Sequence, residues 1–121
     1  MITGTGVDIL EVARIEKAWQ RYGSRFAERI LTLQERHEFH QSQHPVRFLA
    51  KRFVAKEAAS KALGTGFQQG LSWQHIEVRH DRLGKPLLYL SLPKHFVVPK
   101  QCHISLSDSE HQVIAFVVLE N

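Results

Sequence analysis

The 121-residue sequence predicts a single α+β domain in which about three helices pack on a small antiparallel sheet. Three observations carry that expectation. Apolar residues at Val12, Ile15, Trp19 and Tyr22 recur at three- and four-residue steps, the spacing of one buried helical stripe. The stretch from Val46 to Leu63 contains no glycine, is rich in alanine, lysine and glutamate, and stops at Gly64-Thr65-Gly66, so it reads as the longest helix. After it the period changes to alternation, which predicts two hairpins.

In chain order, Ile2 to Val7 reads as a short strand interrupted by Gly4 and Gly6 and ending at Asp8, with the first helix following from Ile9. Thr32 with Glu35 three residues later is a capping-box pattern that starts a helix toward His44, and Pro45 suits the first turn of the next one. Ile76 and Val78 alternate with polar residues, Asp81 to Pro86 supplies turn chemistry, and Leu87 to Leu92 returns. His103 to Ser107 and Val113 to Leu119 form the second pair, bridged by Asp108-Ser109-Glu110-His111. The last strand is apolar on both alternating faces, so both should be buried. One face suits the helices, and the other suits a second copy of the chain.

The composition narrows the function classes. With 43% hydrophobic residues the chain can fill one ordinary core. No basic, apolar and small-residue leader and no apolar run near the length of a membrane span are present, so a cytoplasmic protein without membrane partners is expected. A lone cysteine, Cys102, excludes an internal disulfide and a CxxC pair and reads as a small core or strand residue. The net charge of +4 sits wholly in residues 1–61, which hold 11 Lys+Arg against 7 Asp+Glu. Such an excess suits an anionic partner: nucleic acid, a membrane surface, a phosphorylated cofactor or an acidic protein.

Two carboxylates stand out. Asp8, between a strand and a helix, could simply cap the helix, and Glu57 with Lys61 four residues on could be a solvent-facing ion pair. Together they form a different pattern: two carboxylates on separate elements, with a lysine one turn away, suit a Mg²⁺ held on a pyrophosphate. Gly64-Thr65-Gly66 could cradle phosphate, but a helix C-terminus presents the wrong end of the dipole, so Gly64 reads first as a helix stop. The eight histidines show no zinc-ligand spacing. A basic nucleic-acid-binding module leaves the Asp8 and Glu57 pair unexplained, and a magnesium-dependent nucleotide phosphohydrolase is the other enzyme reading.

Three segments together resemble the holo-acyl-carrier-protein synthase family, the small bacterial class of 4′-phosphopantetheinyl transferases. They are Gly4-Thr5-Gly6-Val7-Asp8-Ile9 with Arg14-Ile15, then Phe48 through Gly66 around Lys56-Glu57-Ala58-Ala59-Ser60-Lys61, and His103-Ile104-Ser105-Leu106-Ser107-Asp108. The resemblance implies a homotrimer with active sites at the subunit boundaries. It also implies that coenzyme A gives its phosphopantetheine arm to a serine of an apo acyl carrier protein of fatty-acid or polyketide synthesis, releasing adenosine 3′,5′-bisphosphate.

By the same resemblance Asp8 and Glu57 bind Mg²⁺ and Lys61 contacts the phosphates, with Glu57 and Lys61 as the catalytic pair. Arg52, Gly64, Thr65 and Gly66 lie along the coenzyme A groove. The base is either Glu57 or a water on the metal. Many relatives have a histidine where Asp108 stands, and an aspartate cannot offer a nucleotide phosphate the same charge; His111 is a partial substitute. On the first helix, at ~100° per residue, Lys17, Arg21 and Arg25 fall within roughly 60° of Arg14, while Val12, Ile15, Trp19, Tyr22 and Phe26 cluster roughly 80–160° away. Arg14, Arg21 and Arg25 therefore form the expected dock for an acidic carrier.

Overall fold

Strand β1 runs Ile2–Glu11 and pairs antiparallel with β5 (Gln112–Glu120), which pairs on its other side with β4 (Gln101–Asp108). The computed structural model describes residues 1–121. Its three-stranded sheet has the order β1-β5-β4, and a separate two-stranded hairpin joins β2 (Ile76–His80) to β3 (Pro86–Leu90). Four α-helices precede the hairpins: α1 (Val12–Tyr22), α2 (Ser24–Ile30), α3 (Leu33–Gln41) and α4 (Pro45–Ala62). No helix is long and apolar enough to cross a membrane.

The predicted α+β class is the observed one, with two adjustments at the start of the chain. β1 does not end at Asp8 but continues to Glu11, because Ile9 and Leu10 stay in register with Ile114 and Val113 of β5. Asp8 is therefore a mid-strand residue and not a helix cap; Glu11 occupies the N-cap position, and the His111 carbonyl takes the Val12 N–H at 2.9 Å. The second adjustment is at Gly23, whose φ of 59° breaks the helical path and starts the additional helix α2. Arg25 thus belongs to α2 rather than to the first helix.

Other local signals act as read. Thr32 and Glu35 close a reciprocal capping box at α3, and Pro45 opens α4 where its missing N–H costs no bond. Gly64, at φ 89°, ends the helical path after Leu63.

The core lies between α4 and the inner face of the sheet. Residues opposite one another in an antiparallel pair share a face, so Gly4, Gly6, Asp8 and Leu10 of β1 line up with Leu119, Val117, Ala115 and Val113 of β5, toward α4. Ala55, Ala58, Ala59 and Ala62 bury the facing side of the helix. Cys102, Ile104 and Leu106 continue this face on β4 and are half-buried. The outer face carries Val7, Ile9, Ile114 and Phe116, exposed by 51, 57, 37 and 47%. Within one chain β5 is thus covered on one side only.

Candidate active site

The site grows from the close packing of β1 on α4. A Cβ on Gly4 would lie 2.0 Å from the Ala62 carbonyl oxygen, and one on Gly6 equally close to that of Ala58. Only glycine permits this approach, which sets the strand backbone directly against the helix. Asp8, next on the same inner face, is thereby aimed at the last two turns of α4. Its neighbour across the ladder is Ala115, a side chain small enough to leave the carboxylate room.

Lys61 reaches over from α4 and donates to Asp8 Oδ1 at 2.8 Å and to the Val7 carbonyl at 3.2 Å. The sequence spacing pairs Lys61 with Glu57, but the structure pairs it with Asp8. Glu57 is half-buried in the same place. Burial, and then the charge of Asp8, push its carboxyl above the usual 4.5, while Lys61 pulls it back. The hydrogen bond to Asp8 raises Lys61 in turn, with added help from the charges of Asp8 and Glu57. Two carboxylates and one ammonium, held by Asp8, leave the site short of positive charge. Its donors are hard oxygens from two elements, which is what a magnesium ion on a phosphate substrate requires.

Gly64, Thr65 and Gly66 follow directly from this end of α4. Thr65 and Leu63 line a cavity of about 440 Å³ together with Thr3, Phe96 and Leu119. The Gly66 N–H is used to close the helix, donating to the Ser60 carbonyl at 3.1 Å.

Arg52 is not brought to Asp8, Glu57 and Lys61 within the chain. Nine residues before Lys61, it points roughly 180° away around the helix. Its guanidinium is buried, donates to Glu38 Oε2 at 2.9 Å and stacks 4.3 Å from the Phe48 ring centre. Arg52 Nε has no hydrogen-bond partner and lies 3.6 Å from Glu35 Oε2. With Arg47, Lys51, His44 and Ser42 it lines a second cavity of about 410 Å³.

Asp108 has a definite place. Its carboxylate is 3.0 Å from Arg47 Nη1 and 3.7 Å from Lys51 Nζ, and Arg47 also donates to the Ser109 and Glu110 carbonyls. The β4–β5 turn is therefore tied to the start of α4, and the aspartate balances two cations rather than adding one. His111 is exposed, 3.9 Å from Glu110.

Comparisons with known proteins place the chain in a family. The family model described as the 4′-phosphopantetheinyl transferase superfamily matches residues 4–117. The chain belongs to that superfamily. A holo-[acyl-carrier-protein] synthase of Vibrio cholerae serotype O1 (strain M66-2) is 52% identical over 125 residues, covering 99% of this chain and 98% of the relative. The crystal structure of the Neisseria meningitidis holo-[acyl-carrier-protein] synthase matches with a TM-score of 0.89 at 40% identity, over 100% of both chains. The Bacillus anthracis str. Ames synthase, in complex with CoA (3′,5′-ADP), matches with a TM-score of 0.84 at 43% identity, over 100% of this chain and 98% of that one. Membership makes the chain an enzyme of the phosphopantetheinyl transferase class.

Sequence reasoning missed two groups beside the site. One is the buried Lys56–Glu35 pair, in which Lys56 Nζ sits 2.5 Å from Glu35 Oε1 and donates to the Ile30 and Trp73 carbonyls. The other is the Arg47 clamp on the β4–β5 turn. A lysine placed among alanines and valine, in Val54-Ala55-Lys56, was the available signal for the first. Nothing local announces the second.

Proposed function

We propose that this chain transfers the 4′-phosphopantetheine arm of coenzyme A to a serine of an apo acyl carrier protein, with Mg²⁺, and releases adenosine 3′,5′-bisphosphate. The observation that carries the reading is the meeting of Asp8, Glu57 and Lys61 at the β1–α4 contact, inside the family's matched region.

Asp8 and Glu57 hold the metal, which when bound supplies charge stabilisation to the pyrophosphate oxygens. Lys61 binds oxygens of the same pyrophosphate. The serine oxygen forms its bond to the β-phosphorus as the bridging P–O bond to the nucleotide breaks, and adenosine 3′,5′-bisphosphate leaves with the electron pair. The serine proton goes to Glu57, through a carboxylate oxygen that the metal leaves free, or to a water of the metal site. Transfer of this kind needs positioning and charge more than covalent chemistry from the protein.

Arg52 and Lys61 face opposite sides of α4, so one coenzyme A that touches both draws them from two chains. The exposed apolar row Val7, Ile9, Ile114 and Phe116 supports the same arrangement, since pairing it with further copies removes it from water. A homotrimer with sites at its boundaries satisfies both. The exposed Arg14, Lys17 and Arg21 of α1, with Arg25 on α2, offer an acidic carrier its dock.

The deciding measurement is mass spectrometry of an apo carrier protein after incubation with this chain, coenzyme A and Mg²⁺. A gain of one phosphopantetheine is expected. Consumption of coenzyme A with no carrier present would instead identify a phosphohydrolase.

A further inference from the structure

A metal shared by Asp8 and Glu57 meets an Asp8 carboxylate that already holds a cation through one of its two oxygens. Lys61 Nζ lies 2.8 Å from Asp8 Oδ1, and the Val7 carbonyl holds the same ammonium from the strand backbone. Asp8 is mostly covered while Lys61 is half-exposed, so the lysine forms the solvent side of the pair. Its flexible four-carbon stem can turn outward without moving the helix, and a half-exposed ion pair is easily exchanged.

Charge counting shows when that exchange is favourable. Two carboxylates and one ammonium leave the site at −1. A divalent cation alone reverses it to +1 and leaves Lys61 only water in exchange for its Asp8 partner. A divalent cation carried on a pyrophosphate with two negative charges returns the site to −1 and offers the ammonium fresh oxygens.

We propose that Lys61 is a resident counter-ion that closes the Asp8 side of the metal site in the free enzyme, so that the divalent cation enters together with the coenzyme A pyrophosphate while Lys61 passes from Asp8 to the phosphate oxygens. The proposal rests on the Asp8 and Glu57 metal reading. It makes the metal and coenzyme A mutually dependent, each tightening the other by the same factor.

The test titrates Mn²⁺ against the full chain and reads free Mn²⁺ by electron paramagnetic resonance, with and without coenzyme A, after subtracting what coenzyme A binds by itself. Lysine ammonium NMR follows Lys61, whose resonance is identified by its loss in Lys61→Gln. Wild type should bind Mn²⁺ about tenfold more tightly with coenzyme A than without. Lys61→Gln should bind Mn²⁺ alone about tenfold more tightly than wild type does. The Lys61 resonance should stay in place with Mg²⁺ alone and shift with Mg²⁺ plus coenzyme A. Equal Mn²⁺ affinity with and without coenzyme A, unchanged affinity in Lys61→Gln, or a Lys61 resonance that ignores coenzyme A overturns the proposal. If neither protein binds Mn²⁺ even with coenzyme A, and Asp8→Asn behaves like wild type, the metal reading itself falls and takes this one with it.

Discussion

Gly6 and Ala58 meet backbone to backbone, so closely that a Cβ on Gly6 would stand 2.0 Å from the Ala58 carbonyl oxygen. Neither group can rotate aside, since one is strand and the other helix. An added methyl must lift β1 from α4, and Asp8 is two residues along the same face. Gly6→Ala should lose about 3 kcal/mol of stability, as overpacked sites do, and should lose transfer activity as well. Urea denaturation with a carrier-labelling assay checks both, and an unchanged midpoint would show that close approach is not why glycine stands here.

The electrostatics of Glu57 predict opposite effects on folding and function. Its carboxyl is held above 4.5 by burial and by Asp8. A carboxyl raised in the fold adds stability below its unfolded value and loses that contribution as the pH climbs through the folded value. In metal-free buffer at pH 7, Glu57→Gln should therefore unfold at a higher denaturant concentration than wild type. The difference should vanish below pH 4.5. Activity of the same variant should collapse at every magnesium concentration. Near-normal turnover at saturating magnesium would remove Glu57 from the metal site.

Lys56 and Glu35 give the buried counterpart. The Glu35 carboxylate also accepts from the Thr32 N–H at 2.9 Å and the Val78 N–H at 2.8 Å, so one pair joins α2, α3, α4 and β2. Burial lowers the Lys56 ammonium from its ordinary value even though Glu35 opposes the change. Removing one partner leaves an uncompensated buried group, a loss of about 3–5 kcal/mol. Lys56→Met and Glu35→Gln should each fall in that range, and the double variant should lose clearly less than their sum. Additive losses would mean the two side chains act independently.

These cases mark what the sequence makes legible. Thr32, Glu35, Pro45 and Gly64 act through neighbours three or four residues away, and their elements form where local pattern puts them. The end of β1 is not legible locally, because Ile9 and Leu10 are compatible with helix as well as strand, and only pairing with β5 decides between them. Glu35 showed its capping role in the sequence and hid its second one, because Lys56 lies 21 residues on. For the same reason Asp8 taken alone reads as a cap, and only together with Glu57 and Lys61 does it read as part of a site. The three side chains stand out together in the sequence, but the Lys61 contact with Asp8 spans 53 residues and has no local signature.

The outer face of the sheet yields a test of assembly. Phe116, flanked across the ladder by Val7 and Ser105, is 47% exposed in the single chain at the centre of an apolar row. Phe116→Asp places a charge where copies of the chain would meet. Under the proposed trimer with sites at its boundaries, sedimentation at micromolar concentration should change from trimer to monomer, and activity should be lost. An active wild-type monomer at that concentration would refute the trimer and leave the apolar row without this explanation.

The carrier dock is the remaining expectation, and the structure sharpens how to test it. Arg14 and Arg21 are exposed on α1, whose buried side is anchored by Ile15, while Arg25 stands beyond the Gly23 break on α2. Arg21 also lies 5.3 Å from the Tyr22 ring centre, which gives its guanidinium a preferred position. Charges at the rim of an interface act mainly by steering, and their influence fades as salt screens them. Reversing Arg14 and Arg21 to glutamate should therefore raise the Michaelis constant for the carrier severalfold in low salt and less in moderate salt. The constant for coenzyme A should not move, since neither residue forms a hydrogen bond or ion pair with Asp8, Glu57 or Lys61. Adding Arg25→Glu separates the two helices: a further rise extends the dock onto α2, and no change confines it to α1. If the constants for carrier and coenzyme A rise together, or neither responds, α1 is not the carrier's docking surface.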